Sequence, residues 1–298
     1  MIISPTIISL REGIEAALVI AIMLSYLRRT NQTSLRKYVF YGSIAAVISS
    51  IGVAVVVGLL WGIFEGPMLS IFEGTVVLIA AALLTTMIVW MWNAGARVTQ
   101  EIEESMQMSV LQQSGIGLAL LAFSLVMREG VELSLFSMAL VIQEGLVSYV
   151  GIALGLLIAV VLGIGIYKGS LRISMKALFK WTSIFLILFA AGMIAYGIHE
   201  LQEAGLLLIG PIEIWNINPP QLADGSYPLL HERGAIGSMA KALFGYNGNP
   251  SALEVAAYVG YLAIAFVFYW RKRNVVSSIN SDKSTKEAIA TTPTQGKE

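Results

Sequence analysis

The residues best able to do chemistry in this chain come as a matched pair. Arg11-Glu12-Gly13-Ile14-Glu15 returns 117 positions later as Arg128-Glu129-Gly130-Val131-Glu132. Each copy lies in a long apolar stretch. A charge at the centre of a membrane helix costs on the order of 2.5–3.5 kcal/mol, so two matched clusters at that depth point to a substrate or ion pathway. A helix turns about 100° per residue, which puts Glu15 about 40° and Glu12 about 100° from Arg11, one charged stripe on each helix. At about 1.5 Å per residue, both stripes fall near mid-bilayer. If the two helices face each other, four carboxylates and two guanidiniums converge, a net negative site suited to a cation. Arg11 and Arg128 stand at i,i+4 to Glu15 and Glu132 and can neutralise them, leaving Glu12 and Glu129 less compensated. Gly13 and Gly130 permit close helix approach, or a local break whose carbonyls add ligands. A structural ion-pair network is the competing explanation, and duplication with a spare carboxylate in each copy favours function. Carboxylate oxygens select hard cations, here Fe(III), Mn(II), Mg(II) or Ca(II).

Composition sets the frame for these stripes. The chain has 298 residues, 56% hydrophobic and 13% charged, where soluble domains carry about 25% charged residues. Mean hydropathy is +0.75. Both values indicate an all-α integral membrane protein. Formal net charge is zero, which disfavours nucleic acid as a partner. The absence of cysteine excludes disulfides, thiolate metal sites and thiol catalysis, and with only His199 and His231 a His-rich zinc or copper site is disfavoured.

Spans need about 20 apolar residues. Seven are expected, at about 3–26, 39–61, 69–91, 115–142, 147–167, 178–200 and 252–270, the first of them retained rather than cleaved as a signal. Arg28, Arg29, Arg36 and Lys37, then Lys168, Arg172, Lys176 and Lys180, then Arg271, Lys272 and Arg273 all fall on one side if the N-terminus is outside and the C-terminus inside. Basic loops mark the cytoplasmic face. Loop 92–114 joins that side although it holds Glu101, Glu103 and Glu104 with Arg97, and the pattern Asn31-Gln32-Thr33 is discounted as a glycosylation acceptor because it lies inside. Motifs in spans one and four divide residues 1–272 into two three-helix repeats of opposite orientation, about 1–92 and 114–200, plus an external segment 201–251 and a last helix. Inverted repeats of this kind place substrate sites at the repeat interface. Residues 273–298 are polar and read as a disordered cytoplasmic tail.

A doubled Arg-Glu-Gly-hydrophobic-Glu motif in spans one and four of seven resembles the oxidase-dependent, high-affinity iron permease family. The resemblance covers residues 1 to about 272, and Ala190-Ala191-Gly192 through His199-Glu200-Leu201-Gln202-Glu203-Ala204-Gly205 also looks like bacterial members. It implies iron uptake across the cytoplasmic membrane, with Glu12, Glu15, Glu129 and Glu132 carrying iron as substrate, no permanently bound cofactor, and a redox partner protein at the outer side.

Secondary candidates cluster at span ends. His199, Glu200 and Glu203 form either an entrance site or an exposed helix end, and Glu73 either lines the entrance or reaches the interface. Segment 201–251 reads as a structured loop that can also dock a partner. Glu101, Glu103 and Glu104 read as a solvated charge run, with iron exit as the other reading. Gly58 with Gly62 and Gly151 with Gly155 suit close helix packing, and Trp61, Trp90, Trp92 and Trp270 suit interface anchors. No phosphate-binding Gly-x-x-x-x-Gly-Lys-Ser/Thr loop is present. The expectation is therefore a transporter, not an enzyme. A manganese or other hard-cation transporter, an intramembrane carboxylate enzyme and a non-transporting scaffold are the alternatives. Near-identical motifs argue against the asymmetry that acid–base catalysis requires.

Overall fold

A computed structural model describes residues 2–94, 98–111, 114–168, 175–211, 213–218, 220, 222, 227–232, 234–268 and 270–271. The expected tail 273–298 lies outside these, as do Arg97, Arg172 and Asp224. Among the described residues the chain is all-α. The helices are α1 (Ile3–Arg29), α2 (Arg36–Ile63), α3 (Pro67–Ala94), α4 (Val98–Leu111), α5 (Gly115–Glu144), α6 (Ser148–Tyr167), α7 (Met175–Glu203), α8 (Ala235–Phe244) and α9 (Ala252–Phe268). Four stretches are apolar and long enough to cross a membrane by composition alone: Thr33–Ile63, Pro67–Trp90, Ser148–Tyr167 and Thr182–Glu203. Ala252–Phe268 is a shorter apolar helix. Helices α1 and α5 have 27 and 30 residues and carry the charged motifs.

Helix α1 lies along α6, α2 along α5 and α3 along α7, while α1 and α5 also meet each other and α3 reaches α5. Small residues make this closeness possible. A Cβ at Gly155 would run into the Thr6 carbonyl and the Leu10 amide, and Gly74 and Gly197 abut where α3 and α7 cross. By contrast, Gly58 and Gly62 have nothing within 4 Å. Their spacing packs no helix here, because they lie on the outward side of α2. That helix buries Val39, Gly42, Ser43, Ala46 and Ser50 and exposes Ile44, Ile48, Ile51, Val55 and Leu59. Small and polar inside, large and apolar outside, it is built for hydrocarbon. Between membrane helices there is little hydrophobic gain, so packing and polar contacts bind them. The Ser134 hydroxyl donates to the Ser50 carbonyl at 2.9 Å, and the Thr6 hydroxyl reaches the Gly151 carbonyl at 3.1 Å.

The buried apolar residues fall into two clusters. One gathers Ile8, Val77, Leu84, Ile88, Phe136, Leu140, Leu186 and Met193; the other gathers Val19, Met23, Leu27, Val39, Ile102, Met106, Leu118 and Ala122. On α1 and on α5, the motif lies between the residues contributed to each cluster.

Loop 92–114 holds more structure than the sequence reading expected. Glu101 and Glu104 are exposed, as a solvated charge run would be, but they stand on a helix, α4, whose Ile102, Met106 and Val110 are buried. These residues recur every four positions and form one apolar face against the cluster, while Glu103 turns out to pair with Arg29. Segment 201–251 likewise contains α8 and a polar hub. Asn218 bonds Glu232 at 3.2 Å and Asn249 at 3.1 Å, and Glu232 accepts from Lys241 at 3.0 Å and from the Gly248 amide at 2.8 Å.

Candidate metal centre

The packing of α1 against α5 brings three of the four motif glutamates together. Carboxylate oxygens of Glu12, Glu129 and Glu132 lie within 4.8 Å of one another. Glu12 is 1% and Glu129 3% exposed. Both oxygens of Glu12, and one each of Glu129 and Glu132, accept no hydrogen bond. Buried carboxylate oxygens without donors are costly, and a cation at this point would satisfy all three residues together. Glu15 stands outside the trio and is held by Arg11 at 3.3 Å.

Each motif glycine faces a helix of the other half. Gly13 abuts Ala159 of α6, and Gly130 abuts Ser50 of α2. Without a side chain there, the helices close in and the charged stripes are pressed inward.

Arginine pairing differs between the two copies. Arg11 behaves as the spacing suggests, nearer to Glu15 than to Glu12, 3.3 Å against 3.7 Å. Arg128 does not. Its guanidinium holds the adjacent Glu129 at 2.7 and 3.0 Å and approaches Glu132 only to 3.9 Å. The i,i+4 spacing permitted the second pair but the tertiary setting redirected it: Arg128 sits over the Trp90 ring, 5.2 Å from its centre. Trp90 is thus more than an interface anchor. Trp61 too has a charged partner, donating its indole N–H to Glu73 at 2.6 Å.

The secondary candidates separate. Glu200 is 6% exposed and accepts from the Tyr196 hydroxyl beside the α3–α7 crossing, within the field of Glu73. His199 turns instead toward the start of α9, where its Nδ1 lies 3.0 Å from Glu254, and its Nε2 lies 3.5 Å from Glu203. Glu254 was missed in the sequence, although Ser251-Ala252-Leu253-Glu254 has the capping-box pattern ahead of an apolar run. The Ser251 amide donates to the Glu254 carboxylate at 3.1 Å, and the Glu254 amide to the Ser251 hydroxyl at 3.2 Å. His199, Glu203, Glu213 and Glu254 line a cavity of about 240 Å³.

With this geometry in place, comparison with known proteins decides the assignment. The profile of the iron permease FTR1 family matches residues 2–278. The chain belongs to the iron permease FTR1 family. Among its relatives are proteins named ferrous iron permease EfeU: one from Escherichia coli O6:K15:H31 (strain 536 / UPEC) and one from Shigella sonnei (strain Ss046), each 35% identical over 268 residues, 89% of this chain and 94% of the relative. Another, from Yersinia pestis, is 31% identical over 269 residues, covering 89% of this chain and 92% of its own. No solved structure matches. As an FTR1 family member the chain is a membrane iron permease, a transporter and not an enzyme.

Proposed function

We propose that this permease carries ferrous iron through the bilayer on Glu12, Glu129 and Glu132, with Glu15 as the fourth carboxylate that Arg11 holds in reserve. The observation that carries this reading is the convergence of three carboxylates, from two helices, within 4.8 Å and out of solvent. The relatives named ferrous iron permeases support the reduced ion as cargo. Its arrival displaces a guanidinium from the carboxylates, so charge at the site stays low in both states.

The topology belongs to the same proposal. Helices α1, α2, α3, α5, α6, α7 and α9 cross the cytoplasmic membrane, with the N-terminus outside and the C-terminus inside. Exchanging α1 with α5, α2 with α6 and α3 with α7 turns the α1–α6 pairing into α5–α2 and leaves α1–α5 and α3–α7 unchanged. That supports two inverted repeats. The apolar clusters above and below the motifs then act as alternating seals. In this topology segment 201–251, with His199, Glu203 and the cavity beside them, is at the outer face, where iron enters and a redox partner would meet the protein. Glu73 and Glu200 lie along the way in.

The test is uptake of radiolabelled iron, under reducing conditions, by vesicles containing the full chain. Glu12→Gln and Glu129→Gln each cut uptake by about 10–100-fold if the reading holds, and normal uptake in both ends it. Competition by Mn(II) measures how far the carboxylates discriminate between hard divalent ions.

A further inference from the structure

We propose that the groove between α3 and α5 is a water-filled route from the three-carboxylate site to the membrane face that bears α4, and that Trp90 is the positioning residue that receives Arg128 along it. The proposal rests on the reading of Glu12, Glu129 and Glu132 as ligands, and adds a direction and a moving part.

Two motifs of near-identical sequence lie in different surroundings. The side chain of Arg11 is 1% exposed and that of Arg128 51%. Arg128 lies near the middle of a 30-residue helix, at a depth where a guanidinium facing hydrocarbon is unfavourable. What it faces is a groove of about 510 Å³, lined by Leu83, Phe123, Ser124 and Met127 together with Arg128 and Glu132. From Glu132, a site residue, the groove descends α5 to Phe123, about 13 Å along the helix axis. That is toward the start of α5, the end against which α4 packs.

Trp90 lies four residues before the end of α3, on that same side of the site. Its ring is 5.2 Å from the Arg128 guanidinium, within cation–π range. Arg128 holds one oxygen of Glu129 at 2.7 Å and leaves the other open, so a cation bound at the open oxygen sets like charges side by side and pushes the guanidinium away. The indole face already lies under the guanidinium and can hold it once it leaves Glu129. Arg11, enclosed and tied to Glu12 and Glu15, has no such freedom. The α5 copy is therefore the one that opens.

The chain contains no cysteine, so single-cysteine variants of the full protein report one position each. Ser124→Cys is exposed, in reconstituted vesicles, to a charged, membrane-impermeant methanethiosulfonate reagent from the α4 side. Ile48→Cys, on the lipid face of α2 and 65% exposed, is the control. Ser124→Cys should react at least ten times faster than Ile48→Cys, and Fe(II) alone should slow it. Equal rates, or disulfide-linked dimers through Ser124→Cys, would overturn the route. For Trp90, Trp90→Leu should lower maximal uptake severalfold with little change in the half-saturating iron concentration, and Trp90→Phe should recover most of it. A Trp90→Leu variant with full maximal uptake, or one that Trp90→Phe fails to restore, would overturn the positioning role. Uptake that survives Glu12→Gln would instead remove the underlying ligand assignment, while the labelling pattern would still stand or fall by itself.

Discussion

At the scale of single residues, the four motif glutamates divide by where their carboxylates meet. Glu12, Glu129 and Glu132 form the trio, and Glu15 is paired with Arg11. Replacing any of the trio by Gln should cut uptake by about 10–100-fold, the range seen even for outer-shell partners of a metal, with a smaller loss for Glu15→Gln. Because the ligands must be ionised to bind, iron affinity should fall as pH is lowered, and direct titration of iron binding over a pH series will show it. The arginines should also differ. Arg11 is enclosed, so Arg11→Met strands buried carboxylates at a cost of about 3–5 kcal/mol. Arg128 is half exposed, so Arg128→Met should cost less than half of that. Thermal unfolding of the purified protein in detergent compares the two.

At the scale of elements, glycine marks where helices touch. Gly155→Ala drives a Cβ into α1 backbone at the Thr6 carbonyl and the Leu10 amide, and overpacking costs about 1–3 kcal/mol. Gly58→Ala meets nothing within 4 Å and should leave the unfolding temperature unchanged. Segment 201–251 has its own fastening at Glu232. Burial works against its ionisation, but Lys241, the Gly248 amide and Asn218 outweigh this and hold the carboxyl below its ordinary range. A carboxyl lowered on folding stabilises above its unfolded pKa and loses that contribution as pH falls through the folded value. Limited proteolysis of segment 201–251 should therefore stay slow at neutral and mildly acidic pH and accelerate only in stronger acid. Glu232→Ala should give the fast pattern at neutral pH, having lost charged hydrogen bonds worth about 1.5–3 kcal/mol each.

At the scale of the whole molecule, the proposed mechanism depends on how the two proposed repeats are threaded. The proposed topology puts the α1–α2 turn inside and the segment after α7 outside. In sealed, oriented vesicles, Thr33→Cys should react with an impermeant thiol reagent only from the cytoplasmic side, and Leu208→Cys, 76% exposed, only from the outer side. The reverse labelling would invert the direction of the route.

Much of this could be read from the chain alone. Helix α1 (Ile3–Arg29) covers the expected 3–26 and α5 (Gly115–Glu144) the expected 115–142, because long apolar runs allow little besides helices where the solvent offers the backbone no hydrogen bonds. The doubled motif was legible as a candidate cation site, since charge repeated in two long apolar stretches is costly unless it is used. What spacing along one helix could not settle was partnership between helices. Only packing put Glu132 rather than Glu15 with Glu12 and Glu129, turned Arg128 from Glu132 to Glu129, slid Trp90 beneath it and set Glu254 against His199. Helix periodicity determines which side chains share a face, but which face meets which neighbour, and how closely, is decided by where glycine lets two backbones touch.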